Sequence, residues 1–504
     1  MSNLKIGWSK RPISIDGPVS IPGQFYMRIS EKILDPLYAT AMCIDGGEGQ
    51  DTAIFCTCDI GAIPDDILVP IRQQVNALCP QLPAETIIMG ATHSHSSITM
   101  SETPEKTPDG QPIYPGSKCR EHFINQCAEA IVEAWTTRSE GGFAYGYGYA
   151  VVAHSRRVVY FDDTSLRHGA KLTAPNGHGI MYGNTNDDQF SHYEAGSDHF
   201  LNAMFTFDKE NKLTGIVVNV PCPSQLSEHF TAQSSDFWNE VRVGIAKEYG
   251  EDVYVLPQCA AAGDLSPRVL HYNYAQARRF KLKYGVEASA FDFNAKTPES
   301  YNKVMCERRD IAERIVEAVR DVYSWAKKDI RTDVPVYHEI RTLQLPRRKI
   351  TDADKQWCEE TIAYMDTQLE EAKKGTPEEV RVAVSTHTAI VNRNKRAIAR
   401  WETQKTDPNY PMECHVVRMG DMAFATNQFE LYMDFMHRIQ ARSPFVQTFI
   451  VQLAGDGGAS YLPTERGVYN KGYSASIFCN QVGPEGGQAL VEGTLEMLNA
   501  AAKR

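Results

Sequence analysis

Residues Gly90–Ser97, "GATHSHSS", follow the apolar run "ETIIMG" and set His93 and His95 one residue apart. On a continuing strand, residues two apart share a face. Both imidazoles would then enter one pocket, as a metal site or an acid/base pair requires. Solvent-facing or core histidines, bonded by Ser94 and Ser96, fit the same spacing. Three more apolar runs end in polar loops: Cys222 in "VNVPCPSQ", Asp264 and Ser266 in "AAAGDLSP", and Asp456 and Tyr461 in "GDGGASYLP". Strand ends of this kind are where ligand crevices form in α/β sheets. "GDLSP" is no Gly-x-Ser-x-Gly elbow, so Ser266 reads as a substrate-positioning or loop residue before a nucleophile. Arg156, beside Arg157, has a guanidinium suited to a carboxylate or an oxyanion, or to a plain surface ion pair.

The elements that must position these groups alternate. "LYATAMCID" and "DTAIFCTCDIG" read as paired strands joined by "GGEGQ". "PDDILVPIRQQVNALC" has helical apolar spacing, "ETIIMGATHSH" is the next strand, and "KCREHFINQCAEAIVEAW" is a second helix. "LTGIVVNVPCPSQ" and "DVYVLPQCAAAGDLSP" are buried strands flanking the helix "SSDFWNEVRVGIAKEYG". The order predicts an α/β fold, a mixed β-sheet core covered by helices. No internal repeat or linker divides the chain, which reads as a single domain over 1–504. It carries a polar insertion at about 162–198 and a helical elaboration at about 270–400.

The chain has 504 residues, 42% apolar and 23% charged, the composition of an ordinary globular protein. A net charge of -11 argues against nucleic acid, which selects a basic face. The first residues, "MSNLKIGWSKRPISIDGP", contain no apolar secretion signal, and no apolar run is long enough for a membrane span. Twelve scattered cysteines fit reduced thiols in a cytoplasm better than a disulfide framework. The expected partner is a small-molecule substrate, with no membrane and with homo-oligomerisation open.

"GATHSHSS" resembles the Thr-His-Thr-His-Ser-Gly segment of the neutral/alkaline non-lysosomal ceramidases. "AAAGDLSPRV" is similar to their Gly-Asp/Asn-x-Ser-Pro segment, and "AFATNQFELYMDFMHRI" to their Pro-Gly-Glu-Phe segment. The opening strands "KIGWSKRPIS", "LYATAMCID" and "TAIFCTCDIG" follow in the same order, and the match runs from about Lys5 to the end. The resemblance implies the catalytic domain of a zinc-dependent amidase, without the small C-terminal β-domain of that family. It assigns His93 and Glu430 to zinc, His95 to the substrate side, and Arg156 and Tyr461 to the reacting carbonyl. Two positions depart. Cys222 stands where the family has a second zinc His, fourteen residues before the matching Asp236. Gly458 or a neighbour stands where it has a zinc Tyr. Cys222 as thiolate can replace imidazole, and His229, Asp456 or His192 can supply a further ligand.

The first expectation is therefore a metal-assisted hydrolase, with zinc on His93, Glu430 and Cys222 or His229. His95 moves protons, Arg156, Tyr461 and Ser266 act at the carbonyl, and Asp264 and Asp456 bind substrate. A small polar amide, ester or sugar derivative is expected in place of ceramide. Two alternatives remain open: a metal-independent acid/base enzyme, such as a glycoside hydrolase, and a non-catalytic binding protein.

Overall fold

One pattern of connection, three strands, a helix and a fourth strand, occurs three times. Lys5–Pro12 (β1), Tyr38–Asp45 (β2) and Thr52–Cys58 (β3) run antiparallel in succession. Helix Leu68–Leu78 (α1) then returns the chain to Ile87–Ala91 (β4), parallel to β3, and Gly116–Thr136 (α2) follows. The second unit repeats this with Ser139–Tyr149 (β5), Phe200–Asp208 (β6), Leu213–Val220 (β7), helix Phe237–Tyr249 (α3) and Tyr254–Cys259 (β8). Helix Pro298–Ala326 (α4) covers it. The third comprises Val336–Pro346 (β9), an excursion of helices Asp352–Ala372 (α5) and Pro377–Thr403 (α6), then Asn409–Met419 (β10) and Met422–Thr426 (β11). Helix Met433–Arg442 (α7) leads to Gln447–Val451 (β12), and Pro484–Ala501 (α8) closes it. The computed structural model of the protein describes residues 4–103, 105–170, 173–457 and 460–504.

The first two units join edge to edge where β1 pairs with β5, giving the eight-stranded order β8-β7-β6-β5-β1-β2-β3-β4. The third unit is a separate four-stranded sheet, β9-β10-β11-β12, packed on the first. Strand alternation decides which side chain enters which layer. In β3, Phe55 faces the second sheet and meets Phe424 at 4.9 Å between ring centroids. Ile54 and Cys56 face the other way, into the layer holding Ile71 of α1 and Phe123 of α2. Because both faces are buried, such strands read as unbroken apolar runs. Each large side chain buried this way contributes about 1.5–3 kcal/mol. The result is the mixed, helix-covered α/β fold that the element order predicts.

The repetition is one of topology, which is why the sequence shows no repeat: equivalent positions carry unlike residues. It also explains where the site lies. Within each unit the first, third and fourth strands are parallel, so their C-terminal ends share one edge. The excursions at 13–37, 150–199 and 347–408 leave from that same edge. Backbone bonds lock the three loop sets together: Ser224 donates to Thr92 O at 3.3 Å, Gln452 to Cys259 O at 2.9 Å, and Gly455 to Met89 O at 2.8 Å. No helix among the described residues is long and apolar enough to cross a membrane.

Candidate active site

β4 ends at Ala91, before either histidine, so the pair is not on a strand as its spacing suggests. A loop turns the rings together instead, with His93 at φ 65°, a left-handed conformation uncommon for a residue with a side chain. His93 Nδ1 lies 2.5 Å from Gly61 O, which aims Nε2 inward. There Nε2 stands 3.2 Å from Glu430 Oε2 and 3.3 Å from His95 Nε2. Ser94 and Ser96 do not serve the imidazoles; their hydroxyls bond Ser234 O and Ser227 O, tying this loop to the second unit.

Glu430 follows β11 and pairs in register with Tyr461 beyond β12. Arg156, fully buried, reaches both: its Nη2 lies 3.1 Å from Glu430 Oε2 and 3.3 Å from the Tyr461 hydroxyl, and also donates to Gly263 O at 2.9 Å. A side chain at Gly263 would meet the Glu430 carbonyl oxygen at 2.2 Å, so glycine is needed for this approach. Burial works to raise the Glu430 carboxyl, but His93 and Arg156 outweigh it and hold it down at about 2. Burial pushes the Tyr461 hydroxyl up, so it stays a donor.

Four groups that the sequence reading passed over complete the pocket. After β7, Glu228 accepts from His95 Nδ1 at 3.1 Å through Oε2, while its Oε1 pairs with Arg268. Arg268 and His95 overcome the burial of Glu228 and keep it ionised. Burial lowers the pKa of His95 despite Glu228, leaving a neutral ring. Gln225 bonds His95 and Arg156, and Tyr182, from the polar insertion, bonds Gln225. The sequence signal for the first three lies in "PCPSQLSEH" and "LSPR", strand-end loops in which Cys222 and Ser266 carry the more conspicuous chemistry. Together these residues face a cavity of about 670 Å³, walled on its other side by Phe25, Ile60, Ile98, Met100 and Phe293.

Several expected residues are placed elsewhere. Cys222 is fully buried in the core, with its thiol directed at Val152 O at 3.2 Å, and does not line the cavity. Burial raises its thiol far above the usual range, the reverse of what a ligand needs. Ser266 is also enclosed; its Oγ accepts from Arg268 N at 3.2 Å, a turn bond that sets the arginine's direction. Asp264 accepts from Met433 N at 3.1 Å at the start of α7, and burial pushes it up to about 6. Asp456 accepts from Ile67 and Leu68 N at 3.1 and 3.2 Å, capping α1. Asp236 caps α3 and accepts from Ser227 N at 2.6 Å, holding the Gln225–Glu228 loop. His229 does line the cavity, with Tyr26 at 3.2 Å from its Nδ1. His192 is exposed on the short strand Phe190–Tyr193, bonded to Ser191. Of the polar insertion, Met181 and Tyr182 reach the cavity.

The four-ligand zinc set therefore does not assemble. His93 and Glu430 converge, Cys222 faces away, and Gly458 lies outside the described residues. No three His, Cys, Asp or Glu donors described at the cavity lie within 4.8 Å of one another. Cys56, Cys58 and Cys127 do, but these thiols are buried between β3 and α2, away from the cavity.

A helix-covered pair of mixed sheets, with its polar groups gathered at one edge, defines the fold class. Solved structures share it, two ceramidases among them. Neutral ceramidase from Pseudomonas aeruginosa superposes with a TM-score of 0.65 at 15% identity, covering all of this chain and 75% of that one. A ceramidase complexed with C2 gives 0.63 at 13% identity, covering all of this chain and 76% of that one. At these identities the likeness is one of fold. No family model matches the chain, and no curated protein matches it in sequence.

Proposed function

We propose that the protein is a hydrolase acting at a carbonyl centre, an amide or an ester. The observation that carries this reading is the His95–Glu228–Arg268 relay facing Arg156 and Tyr461 across one cavity. Glu228 holds the proton on His95 Nδ1, so Nε2 of a neutral ring is the base that takes a proton from water. Arg156 and the Tyr461 hydroxyl are donors for the oxyanion that forms as the carbonyl is attacked. Glu430 fixes Arg156 from below. The aromatic and aliphatic wall favours a substrate that carries an apolar group, a different emphasis from the small polar amide, ester or sugar derivative expected from the polar insertion.

The glycosidase alternative is the weaker one. It needs a carboxyl that stays protonated near neutral pH, and the pocket's Glu228 and Glu430 are both held ionised by cations. Zinc is a second reading, favoured by one observation. His93 and His95 both commit Nδ1, to Gly61 O and Glu228, which brings their two Nε2 atoms, the positions a metal would take, to 3.3 Å from each other. The donor set is incomplete, however, and no step above depends on a metal. Turnover of a panel of chromogenic esters, anilides and glycosides, with elemental analysis and chelator treatment of the same preparation, tests all three. Ester or anilide hydrolysis that survives chelation is the expected result. Activity on glycosides alone, or none, overturns the carbonyl reading.

A further inference from the structure

Gln225 displays, within its own pocket, the bonding pattern of a bound carbonyl compound. Its Oε1 accepts from Arg156 Nη1 at 3.0 Å and from the Tyr182 hydroxyl at 3.1 Å. With both donors on that oxygen, the other end of the amide is nitrogen, and it lies 3.0 Å from His95 Nε2. His95 Nδ1 faces the Glu228 carboxylate, so Nδ1 carries the proton and Nε2 accepts. One network thus sets the amide orientation and the ring tautomer together. It also occupies two donors suited to a substrate carbonyl and the lone pair suited to water.

Tyr182 supplies a second, independent observation. It holds φ 57°, a left-handed conformation that is an outlier for a bulky side chain. Its N donates to Arg156 O at 2.7 Å, so the strained backbone is clamped to the residue its hydroxyl serves. Strain of this kind persists where surrounding structure enforces it, and it concentrates at functional sites. Asparagine or glycine would fill the turn with less strain, but neither would bring a phenol to Gln225.

We propose that the Gln225 side chain is a displaceable internal plug, and that Tyr182 is the donor that passes from the plug to the substrate carbonyl. The inference rests on the carbonyl-hydrolase reading. An entering carbonyl oxygen takes the bonds from Arg156 Nη1 and Tyr182, Gln225 swings aside, and His95 Nε2 becomes free for water. Gln225 is thereby an inhibitory residue in the resting pocket, and Tyr182 a substrate-contacting one.

Two substitutions of opposite sign test it, with butyramide as a calorimetric probe and p-nitrophenyl butyrate as the turnover probe. Gln225→Ala should bind butyramide about tenfold more tightly, the scale of one net hydrogen bond. KM for the ester should fall by a similar factor, with kcat within a few fold. Gln225→Glu places a carboxylate against Arg156 and should weaken butyramide binding and raise KM by at least as much. Adding Tyr182→Phe to Gln225→Ala should cancel the gain in affinity, while its circular dichroism stays that of wild type. If Gln225→Ala binds no more tightly, or loses kcat without lowering KM, Gln225 is a fixed positioning residue and the plug is refuted. Butyramide shifts of the expected signs in a protein that turns over no ester or anilide would keep the plug and overturn the hydrolase. Ester turnover with no such shifts would do the reverse.

Discussion

Replacing Glu228 by Gln separates its two duties, because each oxygen serves a different partner. Oε2 accepts from His95 Nδ1 at 3.1 Å and Oε1 pairs with Arg268, whose side chain is 4% exposed. Removing one charge from a buried pair costs about 3–5 kcal/mol, since the other is left uncompensated. A Gln oxygen still accepts from Arg268, and the Phe293 ring lies 4.1 Å from the guanidinium, so the low end, about 3 kcal/mol, is expected. The catalytic effect is larger. A Gln amide nitrogen facing Nδ1 donates to it and moves the ring proton to Nε2, where the base must be empty. In serine hydrolases the corresponding carboxylate-to-amide change costs about 10⁴ in kcat, and a loss of about 10³–10⁴ is expected here. Arg268→Met is the control: it breaks the same ion pair but leaves Glu228 on His95, so stability falls similarly while kcat falls far less. Urea unfolding and saturating turnover of p-nitrophenyl butyrate read the two effects. A folded Glu228→Gln protein with kcat within tenfold of wild type would refute the assignment of His95 as base.

Cys222→Ala should leave turnover and metal content unchanged and cost about 1 kcal/mol in urea unfolding, for one lost buried sulfur and its bond; lost activity would return Cys222 to the site. Asp264→Asn keeps an acceptor for Met433 N and removes a carboxyl raised to about 6 by burial. A folded-state pKa above the unfolded value means the group costs stability above pH 6 and the cost fades as pH falls below it. The variant should therefore be more stable than wild type at pH 8, by up to about 3 kcal/mol, with the gain shrinking toward pH 4; equal stability at pH 8 would show that the carboxylate is needed. Glu430 has the opposite sign: held down at about 2, it supplies stability that is complete above the unfolded value and lost as pH falls from about 4.5 toward 2. Glu430→Gln should flatten that acid limb of a urea-midpoint titration, and an unaltered limb would refute its pairing with His93 and Arg156.

The strands and helices were legible because their periods are local. β2, β3, β7 and α2 stand in the sequence as apolar runs and helical spacing, with boundaries within a few residues. The threefold connection was not legible, because it is a relation between distant segments and leaves no shared residues. His93, His95, Glu430, Arg156 and Tyr461 gather in the structure; spacing marks the two histidines and strand-end position marks Tyr461, whereas Glu430 is marked by motif order alone. Their neighbours were missed for a physical reason. Glu228, Gln225 and Arg268 sit in loops whose direction is set by bonds made after folding, such as Asp236 to Ser227 N and Ser266 to Arg268 N. In "PCPSQLSEH" the residue with the best ligand chemistry, Cys222, turns into the core, and the plain amide three positions on enters the pocket.

That outcome follows from how the edge is built. Each unit sends its third and fourth strands to one rim, but only a few side chains per loop can turn inward without stranding a backbone donor or acceptor. The first unit contributes two histidines by accepting a left-handed residue at His93. The second contributes Gln225, Glu228 and Arg268 on loops fixed by Asp236 and Ser266. The third contributes Glu430 and Tyr461 through a two-residue parallel ladder. Arg156 arrives from the second unit's excursion and joins the second and third contributions directly, bonding Gln225 on one side and Glu430 with Tyr461 on the other. A guanidinium with donors in a fixed fork can make those contacts at once, whereas a lysine has one point of charge. Arg156→Lys should accordingly lower kcat by about 10²–10³, the loss seen when one oxyanion donor is removed, despite the conserved charge. Recovery of most of the activity in that variant would show that charge alone, without the fork, is what these two loop sets require.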